Sequence, residues 1–520
     1  MLKILLITAF LNGLVWIILT PIWQYPDEQS HFAQVQNIAE KSRIIGYAHN
    51  TSYEIALSEE IMDTSRDDFG NNKFTYHPEH KINYSTTTIG PREKEITSLP
   101  KTSRVEFVKN EATSNPPLYY VLSAYFYKLF YNANLFSRII SIRLFSLLIF
   151  IGSILVSYQI GKIIFKNNLL SITLSSIFAF IPMLVHASTG ILPDTLTNLL
   201  FSAVIFYSFK ILYEEFKKKD LPILIIVVFA GFMTRQQFYI SVLIILLPVL
   251  FLISKRKKLI KPFILFTIIA AVSIYIVNIY LTSVPLITNF RIPDTSIFSN
   301  NKISLTSFIK FALWTFRQTY AESMPWFWGI YKWLSLSLPP IYYQIINRIV
   351  LLAIFGFLLK TFTVIKEKDY KQLKTILFLV WVPVIYFIIL MVWNYFFFTK
   401  NGYSFGIQGR YYFPVIVPII AILLIGLNNL GKIILGSNSK YVLFLLVCMM
   451  LVFNIATLIH VSSSYYDTSS LQTFISQASQ YKPILFKGNI IIFLIILGLS
   501  YQLVFVLKLF KFIIKNNENL

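Results

Sequence analysis

At 520 residues, 56% hydrophobic and only 13% charged, with a mean hydropathy of +0.63, the chain is excluded from the soluble globular class and reads as a membrane protein. Its net charge of +22 would suggest nucleic acid in a soluble chain, but the basic residues sit in short loops between apolar runs, where the positive-inside rule accounts for them. The single cysteine, Cys448, excludes an intrachain disulfide and a thiolate metal site.

The first apolar run, residues 4–23, is long enough to cross a bilayer core of about 30 Å at 1.5 Å per residue, and without a small-residue cleavage site it reads as a retained span. Immediately after it come Tyr25-Pro26-Asp27-Glu28-Gln29-Ser30-His31. Pro26 suits the first turn of a new helix, predicted over 26–40, on which Asp27 and His31 share a face at i and i+4. Three readings of Asp27 and Glu28 stay open: a general base, metal ligands, or favourable charge at a helix N-terminus. A zinc HExxH motif fails, because Asp27 stands where the first histidine belongs. The segment 24–136 is expected as a large outward-facing loop, with an aromatic, amphipathic helix over 116–131 lying in the membrane interface. Two weak patterns fall within it: His77-Pro78-Glu79-His80, metal-capable but broken by Pro78, and the sequons at Asn50 and Asn83.

Eleven further spans are expected at 137–160, 168–186, 194–213, 221–236, 238–253, 262–281, 341–360, 374–396, 411–430, 440–460 and 488–510, giving about twelve. The apolar run 221–253 would overshoot the bilayer as one helix, so it is divided at Thr234-Arg235-Gln236-Gln237. Lysines and arginines follow the even-numbered spans, as at Lys217–Lys219 and Lys255–Lys258. Both termini are therefore expected in the cytoplasm, with 24–136, 187–193, 282–340, 397–410 and 461–487 outside. No internal repeat is visible, and residues 1–520 read as a single polytopic domain.

Several polar residues lie at the outward ends of spans. Asp194, in Leu192-Pro193-Asp194-Thr195, either caps its helix or joins Asp27 on one membrane face. His186 closes the preceding span. Arginine near a bilayer is costly, so each one invites an explanation. Arg138 reads as snorkelling to headgroups. Arg143, Arg235 and Arg410 are open to the same reading, or to binding a phosphate-bearing lipid through the bidentate guanidinium fork. Trp326, Trp328 and Trp333 could stack on a sugar, but an interfacial belt is the preferred reading.

The order of these features resembles the GT-C superfamily of membrane glycosyltransferases: a first span, the PDE-x-x-H helix, NPPLYY (115–120), SIRLFS (141–146) and LPDTLTNLL (192–200). WFWGIYKWL (326–334), QGRYYFP (408–414) and SSYYD (463–467) look closer still to the bacterial membrane family known as domain of unknown function 2142. The resemblance implies an all-α, GT-C-like membrane fold and transfer of a sugar from a polyprenyl-phosphate donor, with Asp27 acting on the acceptor. Asp194 matches a second acidic position only loosely, without a DxD pair, which leaves metal dependence open. No cofactor is called for, and if a divalent cation takes part, Asp27 and Asp194 would hold it.

The expected function is therefore an outward-facing, inverting glycosyltransferase acting on a cell-surface glycan or glycopolymer. Asp27 would take the acceptor proton. Glu28 and His31 would orient Asp27 or the acceptor. Arg143, Arg235 and Arg410, with Tyr411 beside it, would meet the donor phosphate. The main rival is a transporter or flippase of lipid-linked sugars, disfavoured by the absence of repeats. A polysaccharide polymerase or ligase is disfavoured by the acidic helix after the first span. A non-catalytic scaffold leaves the carboxylates and arginines unexplained.

Overall fold

The computed structural model describes residues 1–41, 50–67, 71–85, 90–105, 107–110, 116–255, 305–401 and 404–515, with positions 268 and 272 between them. The expected span 262–281 and residues 282–304 of the second outward loop lie outside the described residues, those two positions excepted.

Helix α1 (Leu2–Leu19) packs against α6 (Leu135–Phe165), α8 (Pro182–Thr189) and the last helix, α19 (Ile490–Lys515). Around it the chain adds α7 (Asn168–Phe180), α9 (Pro193–Leu212), α10 (Asp220–Phe232) and α11 (Ile240–Lys255). Next come α12 (Leu305–Gln318), α13 (Met324–Trp328), α14 (Pro340–Lys366), α15 (Tyr370–Asn401), α16 (Ile416–Leu435), α17 (Ser439–Tyr465) and α18 (Leu471–Ser479). Starts follow local chemistry: Asn134 caps α6 by accepting from Ser137 N at 3.0 Å, and Pro193 occupies the first turn of α9.

By length and composition, eight described helical segments could cross a membrane, or nine if the bent pair α7–α8 counts as one span. The expected count of about twelve is not confirmed: the expected span 262–281 lies outside the described residues, and α10, over the expected span 221–236, is shorter than the eight. One qualifying segment, Gly409–Tyr465, contains the turn Gly436–Asn438 at which α16 folds back on α17. A second difference is the 62° break between α7 and α8, where a single span over 168–186 was expected. Pro182 supplies the reason, since it removes a helical N–H and clashes with the preceding turn.

The segment between α1 and α6 folds as a cap of α2 (Glu28–Lys41), α3 (Tyr53–Ile61), α4 (Pro91–Thr97) and α5 (Leu118–Leu129). Strands β1 (Asn50–Ser52) and β2 (Phe107–Asn110) pair antiparallel within it, and a second ladder joins β3 (Ile330–Tyr331) to β4 (Leu336–Ser337). Helix α5 lies against both α2 and α6. Arg138 does not snorkel: it is fully buried, ion-paired to Glu54 of α3, and donates to Tyr127 Oη of α5 at 2.6 Å. The cap is thus tied to the helical body by a buried charge pair.

Candidate active site

The turn from α1 into α2 is built around Arg143. Its Nη1 donates to the carbonyls of Ile17 (3.3 Å) and Thr20 (2.8 Å), and its Nη2 to that of Pro21 (2.9 Å). Nε and Nη2 also grip Glu28 at 2.7 and 2.6 Å, and the ring of Tyr25 lies 4.5 Å from the guanidinium. All five N–H donors are therefore engaged within the protein. Glu28 Oε2 accepts in addition from Trp23 N at 3.0 Å. Glu28 was expected to orient Asp27 or the acceptor, and Arg143 to meet the donor phosphate; the structure turns both inward, where Arg143 satisfies the carbonyls at the end of α1 and Glu28, gripped by Arg143, helps clamp the turn.

The clamp has a conformational consequence. Trp23 (φ 61°) and Asp27 (φ 53°) occupy the left-handed region, which aspartate tolerates and tryptophan rarely adopts. Gly190, just before α9, must lack a side chain here, since a Cβ would come within 2.6 Å of the Tyr25 ring. The result is that Glu28 is sealed while the Asp27 side chain next to it keeps 46% of its surface open.

Asp27 sits between two guanidiniums, Arg66 Nη1 at 3.4 Å and Arg410 Nη2 at 3.5 Å, both long contacts. Burial alone would raise its carboxyl pKa, but its neighbours, Arg410 foremost and Arg66 among them, outweigh it and hold the group below the usual carboxylate range. Arg66 also bonds Ser30 Oγ and lies 5.6 Å from the Trp333 ring. One turn along α2, His31 Nδ1 shares a hydrogen bond of 2.8 Å with Tyr120 Oη. Burial draws the His31 imidazole down to about 3 against the pull of Asp27, with Arg235, Arg410 and Arg66 adding to the depression. It is neutral at neutral pH.

Arg235 stands at the turn between α10 and α11, close enough to His31 and Arg410 for their charges to interact. Leu118 N donates to Met233 O at 2.9 Å, so the start of α5 holds that turn in place. Asp194, in the first turn of α9, is ion-paired to Arg235. Arg410 donates from Nε to Gln408 Oε1 at 2.8 Å and lies 5.7 Å over the Tyr411 ring, while its Nη1 meets no partner among the described residues. Its loop is pressed onto residues 323–328: Ser323 Oγ donates to Ile407 O, and a Cβ on Gly409 would fall 2.1 Å from Phe327 N. This contact joins the QGRYYFP and WFWGIYKWL motifs.

The structure thus gathers Asp27, His31, Arg410, Arg235 and Asp194, and withdraws Glu28 and Arg143. Asp27 and Arg410 border a cavity of about 180 Å³ whose walls include Gln24, His186, Lys332 and Trp333. Tyr411 lies under Arg410 and is not among the residues of that wall. Lys332 Nζ donates to Pro78 O (2.7 Å) and Ser464 O (3.1 Å), and burial draws its ammonium down to about 8. Sequence reasoning missed Arg66, Gln24 and Lys332. Arg66 lies in an irregular stretch with no periodicity, and Lys332 sits within an aromatic run that reads as membrane interface. Among the described residues, no group of three or more His, Cys, Asp or Glu is placed to hold a metal. Asp27 and Asp194 are each balanced by arginine, a charge arrangement that does not fit a dication.

A family model described as a predicted membrane protein, DUF2142, matches residues 10–420. The chain belongs to this family. It is a multi-pass membrane protein. A sequence search of curated proteins finds no match. Among solved structures, the DUF2142 chain is similar to ArnT from Cupriavidus metallidurans bound to undecaprenyl phosphate, at 12% identity and a TM-score of 0.41, covering 91% of this chain and 76% of that one. It is also similar to the archaeal oligosaccharyltransferase AglB from Archaeoglobus fulgidus in complex with an inhibitory peptide and a dolichol-phosphate. There the identity is 13%, the TM-score 0.44, and the coverage 89% of this chain and 56% of that one. The chain therefore spans about three quarters of ArnT and just over half of AglB.

Proposed function

We propose that this DUF2142 protein is a membrane glycosyltransferase that moves a sugar from a polyprenyl phosphate to a surface glycan on the outer face of the membrane. The observation that carries the reading is Asp27: a half-open carboxylate at a cavity, beside an arginine with an uncommitted nitrogen. The motifs' resemblance to GT-C enzymes supplies the donor class.

Asp27 is the general base. It takes the proton of an acceptor hydroxyl as that oxygen bonds to the anomeric carbon. The bond from that carbon to the phosphate oxygen breaks, and the electron pair leaves with the phosphate. Attack opposite the leaving group inverts the anomeric centre. The departing phosphate gains charge in the transition state, where Arg410 stabilises it most directly and Arg235 adds to the field. A carboxylate held below its usual range stays ionised at neutral pH, as a base must, although its driving force for proton transfer is modest. His31, neutral, works as a hydrogen-bonding group that fixes Tyr120 beside the site. Glu28 and Arg143 position Asp27 by holding the turn. The positive-inside pattern of the basic loops supports the orientation in this reading, with both termini in the cytoplasm and the site outside.

The test is a comparison of surface glycans from a deletion strain and its parent by mass. Loss of one defined sugar, restored by the wild-type gene and not by an Asp27→Asn gene expressed at equal level, supports the reading. Unchanged glycans in the deletion strain overturn it.

A further inference from the structure

The cavity at Asp27 is not isolated. A second cavity of about 250 Å³ adjoins it, and the two share Tyr76, Leu334 and Gln408 in their walls. The second is bordered by α12, the segment 319–326 and the loop 404–408, with Thr315, Gln318, Glu322 and Trp326 in its lining.

Several polar atoms of these walls are uncommitted. In the first cavity, both amide atoms of Gln24, Nδ1 of His186 and the hydroxyl of Tyr331 are buried without a partner among the described residues. In the second, the same holds for Thr315 Oγ1, although the residue is only 3% exposed. Buried polar groups left unpaired are costly, so each calls for a partner. An amide with both atoms open asks for a ligand that donates and accepts at neighbouring positions, which is what vicinal hydroxyls do. Trp326 adds an aromatic surface whose indole N–H meets no acceptor among the described residues. Aromatic, amide and hydroxyl walls around a small volume fit a sugar ring rather than a lipid tail.

Each cavity is below the ~300 Å³ at which drug-sized pockets begin, so each suits a single ring. The walls of the second carry Glu322 and, among the described residues, no lysine or arginine, which argues against the donor phosphate there. We infer that the two cavities form a tandem acceptor cleft, and that the acceptor is a glycan of at least two sugars. Its terminal unit meets Asp27, and its penultimate unit lies against Trp326 and is read by Gln318 and Glu322. This rests on the glycosyltransferase reading and makes it specific: the acceptor is an oligosaccharide or polymer, not a single sugar or a simple alcohol. It also reverses the preferred reading of Trp326 and Trp333 as an interfacial belt, since each lines one of the two cavities.

The test uses the full-length protein in detergent, without donor, so that binding is read apart from turnover. The probes are fragments of the deletion strain's surface glycan, trimmed to one, two or three sugars. Affinity is measured by calorimetry or saturation-transfer NMR. Wild type should bind the two-sugar fragment at least ~10-fold more tightly than the one-sugar fragment, with little further gain at three. Trp326→Ala should erase that gain and leave one-sugar affinity unchanged, while Trp326→Phe should keep most of it. Equal affinity for one and two sugars, or equal weakening of both by Trp326→Ala, overturns the inference. If the deletion strain's glycan still accepts a sugar in a turnover assay, the transferase reading survives that failure. If no fragment binds and none is glycosylated, both readings fall.

Discussion

Replacing Arg143 with methionine separates the two roles open to this residue. Its guanidinium makes two hydrogen bonds to Glu28 and three to the carbonyls of Ile17, Thr20 and Pro21, all in a fully buried setting. Removing one partner of a buried pair leaves the other charge uncompensated, at about 3–5 kcal/mol. That corresponds to roughly 10²- to 4 × 10³-fold in the folding equilibrium, since each 1.4 kcal/mol is tenfold. Thermal denaturation of purified Arg143→Met in detergent should therefore show a large fall in midpoint and a low yield of monodisperse protein. The fraction that folds should bind a polyprenyl-phosphate sugar with wild-type affinity. Adding Glu28→Gln should recover part of the stability, because the orphaned charge is gone, and a double-mutant cycle would measure the coupling. A variant as stable as wild type that fails to bind donor would refute the reasoning and return Arg143 to the substrate site.

Three further outcomes are expected. Arg410→Lys should weaken donor binding by roughly 10- to 150-fold, the equivalent of about 1.5–3 kcal/mol for a lost charged hydrogen bond, because ammonium has no fork; calorimetry with the lipid donor checks it. Arg66→Gln should move the acid limb of the pH–rate profile upward. Asp27 is held below its usual range partly by Arg66, activity needs the ionised carboxylate and is lost as pH falls through its pKa, and removing a positive neighbour raises that pKa. A downward or absent shift would count against Asp27 as the titrating base. In a Cys448→Ser background, a cysteine replacing the exposed Glu79 should react with an impermeant thiol reagent added outside intact cells, and one replacing the exposed Ser437 should not. Reversed labelling would invert the topology.

Much of the helical layout was legible because apolar runs declare themselves. The hairpin at 221–253 followed from a run too long for one span broken by Arg235, and α10 and α11 indeed meet at that turn. The break between α7 and α8 has a local signal in Pro182. The site was legible only in part. PDE-x-x-H and QGRY marked Asp27, His31 and Arg410, yet spacing along a helix does not say which neighbour faces in. Glu28 and Asp27 are adjacent, and only the left-handed conformation at Asp27 sends one to the cavity and the other to Arg143. Arg138 looked like a headgroup anchor because its partner, Glu54, lies 84 residues away across an irregular stretch. Arg66 and Lys332 reach the site through tertiary contacts that carry no local pattern.

The role proposed for Asp27, the base of a glycosyl transfer, is tested most directly by Asp27→Asn. Asn at that position keeps the size and removes the charge and the basic lone pair. The decisive measurement is single-turnover transfer by purified wild type and Asp27→Asn, with a polyprenyl-phosphate sugar as donor and the deletion strain's glycan as acceptor. Transfer should fall by ~10²–10⁴ while donor affinity stays at the wild-type value, because Arg410 and Arg235 are untouched. Near-wild-type transfer by Asp27→Asn at matched protein would contradict the account.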